Sequence, residues 1–309
     1  MNQLLSVLDI NLSTVTLLLH KARQMKDLVK SKGGLSILKN KVLTSLFYEP
    51  STRTSCSFQA AMLRLGGSVI NVDVGNSSMQ KGETLEDTIQ TVSCYSDIIV
   101  MRHPEKNSVT ESAKISDKPF INAGDGTGEH PTQALLDLYT IQSEIGQIGK
   151  NKFGQNMNIT FVGDLKHSRT VHSLVKLLTY FPDVIITYIS PDGLSMPEEI
   201  VEFVNLRGLE QRTGVLLEEA IKETDVLYVT RIQKERFATE EEYRKVVGSY
   251  CIDTELMKLA KKKMIVMHPL PRLDEIDRAV DNDPRAAYFR QMENGMYMRM
   301  AILECMLLL

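Results

Sequence analysis

Short, continuously apolar runs recur along the chain, each leading into a longer stretch with helical spacing, and this alternation restricts the possible folds most. Val42–Tyr48 (VLTSLFY) has strand length and is followed by SFQAAMLRLGG, where Phe58, Ala61, Met62 and Leu65 repeat at helical spacing before Gly66 and Gly67 stop the pattern. Ile98–Met101, Phe120–Ala123, Ile159–Val162, Val184–Ile189, Val226–Val229 and Met264–Met267 read as further buried strands. Thr132–Ile141, Thr170–Leu178 and the stretch from Ala286 onward read as helices. Strands apolar on both faces need cover on both, so the pattern predicts an α/β protein with doubly wound parallel sheets. Across Ile141–Gln155 the apolar pattern lapses and three glycines cluster. The expected organisation is therefore two α/β domains, residues 1–145 and 146–285, linked by helices. Residues 286–309 are expected to form a C-terminal helix that returns to the first domain and packs with the first helix, Thr14–Lys30.

The charge balance narrows the function classes. A net charge of −3 over 309 residues provides no basic field, so nucleic acid is not an expected partner and any anion recognition must be local. Met300–Leu309, the longest apolar run, is broken by Glu304 and falls short of the ~20 residues of a membrane span. The N-terminus lacks a basic region before a long apolar core, so no signal peptide and no membrane partner are expected. Cys56, Cys94, Cys251 and Cys305 fit no disulfide or zinc pattern, which points to a reduced, cytoplasmic, soluble protein. There is no HExxH, no GxSxG elbow and no complete GxGxxG; neither a metal nor a cofactor is expected.

Polar and cationic clusters follow the predicted strands, at the edge where open parallel sheets place their ligands. The first is Ser51, Thr52, Arg53, Thr54 and Ser55, at a predicted helix start. Ser and Thr are ordinary N-caps, but successive N–H groups and hydroxyls beside a guanidinium fork also suit a phosphate. The second, Asn76 to Glu83, includes Ser77 and Lys81 and by itself reads as a solvated loop. Arg102, His103 and Pro104 follow the strand IIVM. Asn122 to Gln133 brings Gly124, Gly126 and Gly128 ahead of His130, with Pro131 fit for the first helical position. A helix N-terminus disfavours protonated histidine, so a neutral His130 donating one N–H to a carbonyl oxygen is its expected role, with a capping turn as the plainer one. Farther on, Arg169 and Arg231 are candidate carboxylate clamps, each also readable as a surface ion pair. Pro269, Leu270 and Pro271 form a stiff segment whose carbonyls could accept from an amine.

Seven segments together carry a resemblance: FYEPSTRTS, SSMQKGETLEDT, MRHPE, GDGTGEHPTQALLD, VGDLKHSRTVHSL, TRIQKERF and MHPLPR. In this order, from Phe47 to Ile302, they resemble the aspartate carbamoyltransferases. The segments GEHP and DPRAAYFRQMENGMY are most similar to the form fused into the eukaryotic pyrimidine-synthesis multienzyme. The resemblance implies a carbamoyl-phosphate domain followed by an aspartate domain, in a homotrimer with shared active sites. It implies transfer of the carbamoyl group from carbamoyl phosphate to L-aspartate, an early step of pyrimidine synthesis. By motif match, Ser51, Thr52, Arg53 and Thr54 would hold phosphate, and Arg102, His130 and Thr54 would polarise the carbamoyl oxygen. Gln133 and the Leu270 carbonyl would hold the carbamoyl nitrogen. Arg169 and Arg231 would bind aspartate's two carboxylates, with Gln233, Leu270 and Pro271 nearby. Ser77 and Lys81 would reach in from the neighbouring subunit, Lys81 touching both substrates; at Gln80 bacterial relatives often carry a second basic residue. Other pyrimidine-pathway domains or a regulatory chain are conceivable further partners. Ornithine carbamoylation is the nearest alternative, and a catalytically silent carbamoyltransferase-like subunit the next.

Overall fold

Every strand pairing in the two sheets is parallel, as continuous apolar runs require. The computed structural model describes residues 2–72, 81–151 and 153–308. The chain divides into two units, one comprising residues 1–139 and 292–309 and the other residues 140–291.

The first unit begins with β1 (Gln3–Leu4) and α1 (Leu12–Lys32) and continues through β2 (Val42–Phe47), α2 (Thr52–Arg64) and β3 (Ser68–Val72). Then follow α3 (Leu85–Ser93), β4 (Ile98–His103), α4 (Ser108–Ile115), β5 (Phe120–Asp125) and the start of α5 (Pro131–Ile145). Its sheet has the order β1-β5-β4-β2-β3. Leu46, Ile99, Met101 and Phe120 of the sheet pack with Ile89 and Val92 of α3 and Val109 and Ala113 of α4. The second unit contains β6 (Met157–Val162), α6 (Arg169–Leu178), β7 (Val184–Ile189), α7 (Glu198–Asn205) and β8 (Glu210–Arg212). After them come α8 (Leu217–Glu223), β9 (Val226–Val229), α9 (Glu240–Val246), α10 (Thr254–Leu259) and β10 (Ile265–Met267). Its sheet has the order β10-β9-β6-β7-β8. The last helix, α11 (Tyr288–Leu308), runs from the second unit into the first, where Lys21 of α1 pairs with Glu304 at 2.9 Å.

The strands not anticipated, β1, β3 and β8, are all edge strands. In β3 no residue is buried, and β8 is Glu-Gln-Arg, so neither has an apolar run to announce it. An edge strand takes its position from its one neighbour and needs little apolar content. The expected seam also shifts: Thr140, Ile141 and Ile145 are buried within α5, and the division between units falls inside that helix rather than after it.

Candidate active site

In the first unit the strand order reverses between β2 and β4, the position at which open parallel sheets bind ligands. Phe47 pairs with Arg102, and beyond a register shift His103 pairs with Asp125, so the loops after β2, β4 and β5 lie side by side. Ser51 is the N-cap of α2, yet its side chain makes no capping hydrogen bond. Arg53 is exposed and Thr54 buried. At the end of β4, Arg102 approaches Glu49 Oε2 with both Nε and a terminal nitrogen at 2.9 Å, which fixes the guanidinium fork. Beside them the rings of Tyr48 and His103 lie 4.9 Å apart; burial pushes the Tyr48 hydroxyl up to about 12 and the His103 imidazole below its ordinary value.

The loop after β5 abuts the loop after β4. A Cβ at Gly126 (φ +56°) would lie 2.4 Å from the Pro104 carbonyl oxygen, so only glycine fits. This approach leads to His130, buried at the entrance of α5, with Nδ1 3.4 Å from the Thr132 hydroxyl. Gln133 is buried one turn in and donates from Nε2 to Asp137 Oδ1 at 2.8 Å. Beneath it Asp137 is fully buried, and so is Arg299 of α11, whose guanidinium carbon lies 5.0 Å from the Phe58 ring centre. Burial pulls the Arg299 guanidinium down to about 10, against the opposing pull of Asp137. Lys81, ahead of α3, is exposed. Ser77 and Gln80 lie outside the described residues.

The second unit repeats the arrangement. Its strand order reverses between β6 and β9, and the loops after those strands carry Arg169 and Arg231. A Cβ at Gly163 (φ +115°) would come within 2.1 Å of the Thr230 carbonyl oxygen, so these loops touch only because residue 163 is glycine. Gln233 ties them further, donating from Nε2 to the His167 carbonyl at 3.3 Å. Arg231 holds both carboxylate oxygens of Glu235, one at 3.1 Å. Burial alone would raise the Glu235 carboxyl, but the Arg231 hydrogen bond, a backbone N–H and the charges of Arg231 and Arg236 together hold the group below its usual range.

After β10, the buried His268 braces the turn to Pro271. Its Nδ1 accepts the Leu270 N–H at 2.7 Å, which places the ring proton on Nε2, donated to Glu275 Oε1 at 2.7 Å. Leu270 has φ +56° and a cis bond to Pro271. Burial would raise Glu275, but His268 and the backbone N–H donors of Leu273 and Glu275 together lower it. An open hollow of 890 Å³ also lies in this unit, lined by Lys166, His167, Arg236 and Lys245 among others; Arg169, Arg231 and Leu270 do not line it.

The helices at these loops share one electrostatic trait. α3, α4, α7, α8, α9 and α10 each carry an acidic residue in the first turn, the usual complement to the positive end of the helix dipole. α1, α2, α5, α6 and α11 carry none, and of these α2 and α6, each following a strand at a reversal of strand order, place Arg53 and Arg169 there instead. A positive helix end bearing an added cation is completed by a ligand anion. Glu49, Asp137, Arg299, Glu235 and Glu275 were not singled out from the sequence. Gln133–Asp137 and Arg231–Glu235 could have been found from their spacing of four, and Arg299 as a charge within an apolar run. Glu49 and Arg102 are 53 residues apart and gave no such signal.

Fold and site thus define a two-unit, doubly wound α/β protein whose anion-seeking helix starts lie at both reversals of strand order. Residues 2–143 match the aspartate/ornithine carbamoyltransferase carbamoyl-P binding domain, and residues 155–306 the Asp/Orn binding domain of the same family. The chain belongs to the aspartate/ornithine carbamoyltransferase family. It is 52% identical to the aspartate carbamoyltransferase catalytic subunit of Archaeoglobus fulgidus over 98% of both chains. It is 54% identical to the multifunctional protein CAD of Squalus acanthias over 98% of its own length, but spans only 13% of that relative. Among solved structures, the catalytic subunit of M. jannaschii aspartate transcarbamoylase superposes with a TM-score of 0.90 at 48% identity, covering 99% of this chain and 98% of that one. The Trypanosoma cruzi aspartate transcarbamoylase in complex with carbamoyl phosphate and aspartate gives 0.91 at 44% identity, covering 98% and 95%.

Proposed function

We propose that this chain transfers the carbamoyl group of carbamoyl phosphate to the amine of L-aspartate, giving N-carbamoyl-L-aspartate and phosphate. The observation that carries this reading is that Ser51, Thr52, Arg53, Thr54 and His130 lie at helix starts without acidic residues in one unit, with Arg102 at the end of the strand between them, and that Arg169 lies at such a start in the other, with Arg231 in the adjoining loop. The relatives named for aspartate carbamoyltransferase lend it further support.

In this reading Ser51, Thr52, Arg53 and Thr54 hold the phosphate, while Thr54, Arg102 and His130 donate to the carbamoyl oxygen. Gln133 and the Leu270 carbonyl accept from the carbamoyl nitrogen. Arg169 and Arg231, with Gln233 and Pro271 beside them, orient aspartate. The neutral amine attacks the carbamoyl carbon, charge builds on the oxygen, and the C–O bond to phosphate breaks. The departing phosphate takes the amine proton, so no side chain need be a strong base. The protein's contribution is orientation and preorganised stabilisation of the oxyanion. The reading extends to a cytoplasmic homotrimer in which Ser77 and Lys81 complete a neighbour's site, and the multifunctional relatives support fused partner domains.

Release of phosphate from carbamoyl phosphate, measured with aspartate and with ornithine, tests the reading. Turnover with ornithine alone overturns the substrate, and turnover with neither points to a silent subunit. Mixing Lys81→Ala with Arg53→Ala chains should restore some activity in hybrid trimers; none, with mixing confirmed, would rule out shared sites.

A further inference from the structure

Gln133 is only 6% exposed, yet its two amide atoms are treated differently. Nε2 is committed to Asp137 at 2.8 Å, whereas no described residue donates to Oε1. An amide beside an isolated hydroxyl or another amide could rotate by half a turn and keep a hydrogen bond. A carboxylate only accepts, so beside Asp137 only one orientation of Gln133 retains its bond. Asp137 itself is fully buried and faces the buried Arg299, the cation that justifies a carboxylate at this depth. The guanidinium fits there because residue 295, one turn earlier on α11, is glycine: a Cβ at Gly295 would lie 2.7 Å from an Arg299 terminal nitrogen. The Phe58 ring of α2 flanks the guanidinium at 5.0 Å, so Arg299 lies against the helix of the phosphate cluster.

We propose that Asp137, sustained by Arg299, is a positioning residue that locks the Gln133 amide with its oxygen towards the acyl donor, so that Gln133 accepts from the carbamoyl NH2 and reinforces the orientation in which the C=O meets Thr54, Arg102 and His130. The inference rests on the carbamoyl-phosphate reading of this unit. A carbamoyl group has nearly the same shape when its NH2 and C=O exchange places. An acceptor at Gln133 takes the NH2 and leaves the C=O to Thr54, Arg102 and His130, where charge develops. A donor there would oppose the NH2, donor against donor, and give up one hydrogen bond of the reactive orientation. The same acceptor disfavours acetyl phosphate, which offers a methyl group in place of the N–H donor and would leave Oε1 unsatisfied.

The test compares wild type with Asp137→Asn and with the exchanged pair Gln133→Glu/Asp137→Asn, using carbamoyl phosphate as substrate and acetyl phosphate as inhibitor. In Asp137→Asn the new amide accepts or donates, so Gln133 can turn its NH2 towards the ligand. KM for carbamoyl phosphate should then rise about three- to tenfold, the worth of one neutral hydrogen bond, while inhibition by acetyl phosphate, which has no N–H to lose, stays at the wild-type level. In the exchanged pair the carboxylate that replaces the Gln133 amide can only accept, and the buried negative charge is kept for Arg299. Its preference for carbamoyl phosphate over acetyl phosphate should return to the wild-type level. A purely structural role for Asp137 predicts weaker binding of both ligands in Asp137→Asn, and that result overturns the proposal. Should Asp137→Asn not fold, the exchanged pair decides alone: rejection of acetyl phosphate supports the proposal, and loss of the preference for carbamoyl phosphate overturns it. A wild-type protein that does not turn over carbamoyl phosphate overturns the functional reading instead, a result distinct from any variant's.

Discussion

The two units place their candidate residues at the same topological position but brace them differently. In the first, Glu49 of the loop after β2 holds Arg102 at the end of β4, and Asp137, four residues along α5, holds Gln133 from a fully buried position. In the second, the partner of Arg231 is Glu235, four residues along the same loop and half exposed. A buried partner left unpaired is costly, so it holds its group in one geometry. An exposed ion pair is worth little and exchanges readily with water or with a ligand carboxylate. In the proposed reading the first unit thus orients a group at which charge develops, and the second trades an internal carboxylate for an external one.

The largest expected effect tests the rigid half. Arg102→Ala removes the proposed donor to the developing oxyanion and strands Glu49, so aspartate-dependent phosphate release should fall by about 10²–10³ in kcat. An unchanged rate in the folded variant would remove the contrast between the units altogether. Next comes Gly163→Ala, which combines φ +115° with a Cβ 2.1 Å from a backbone carbonyl. Chemical denaturation should show a loss of about 2–4 kcal/mol, against about 1–2 kcal/mol for Gly193→Ala, whose Cβ would meet open space. Equal losses would mean that the two loops of the second unit do not touch as described.

Smaller effects sharpen the picture of the exchangeable half. Arg231→Lys keeps the charge but loses the fork, and KM for aspartate should rise about tenfold with KM for carbamoyl phosphate unmoved. Glu235→Gln withdraws the internal competitor, and KM for aspartate should fall about two- to threefold. A rise instead would show that Glu235 positions Arg231 rather than competing for it. The smallest effect concerns pH. Glu275 titrates below its usual value of 4.5 in the folded chain, so its ionisation stabilises the native state above that pH. This contribution is lost as pH falls through the folded value. Glu275→Gln should flatten the decline of stability with acid below pH 4.5, and an unaltered slope would show that the His268 brace does not contribute.

The sequence disclosed the interior strands well because each is buried on both faces and must be apolar throughout; β4, β5, β6 and β7 announce themselves in this way. It disclosed the loops rich in Ser, Thr and Arg because so many donors in a row exceed what a helix cap requires. It did not disclose β3 or β8, whose positions come from their neighbours. Nor did it disclose Glu49 as the partner of Arg102, because that pairing exists only once β2 and β4 lie adjacent.

What the residues settled by themselves was the class of architecture and the chemical kind of ligand, since apolar periodicity and local donor density are properties of neighbouring positions along the chain. What only the folded chain decided was which strands are neighbours, which carboxylates hold which cations, and which way an amide such as Gln133 faces. Those outcomes depend on groups that are distant in sequence and on burial, where the cost of an unpaired polar atom leaves one arrangement standing.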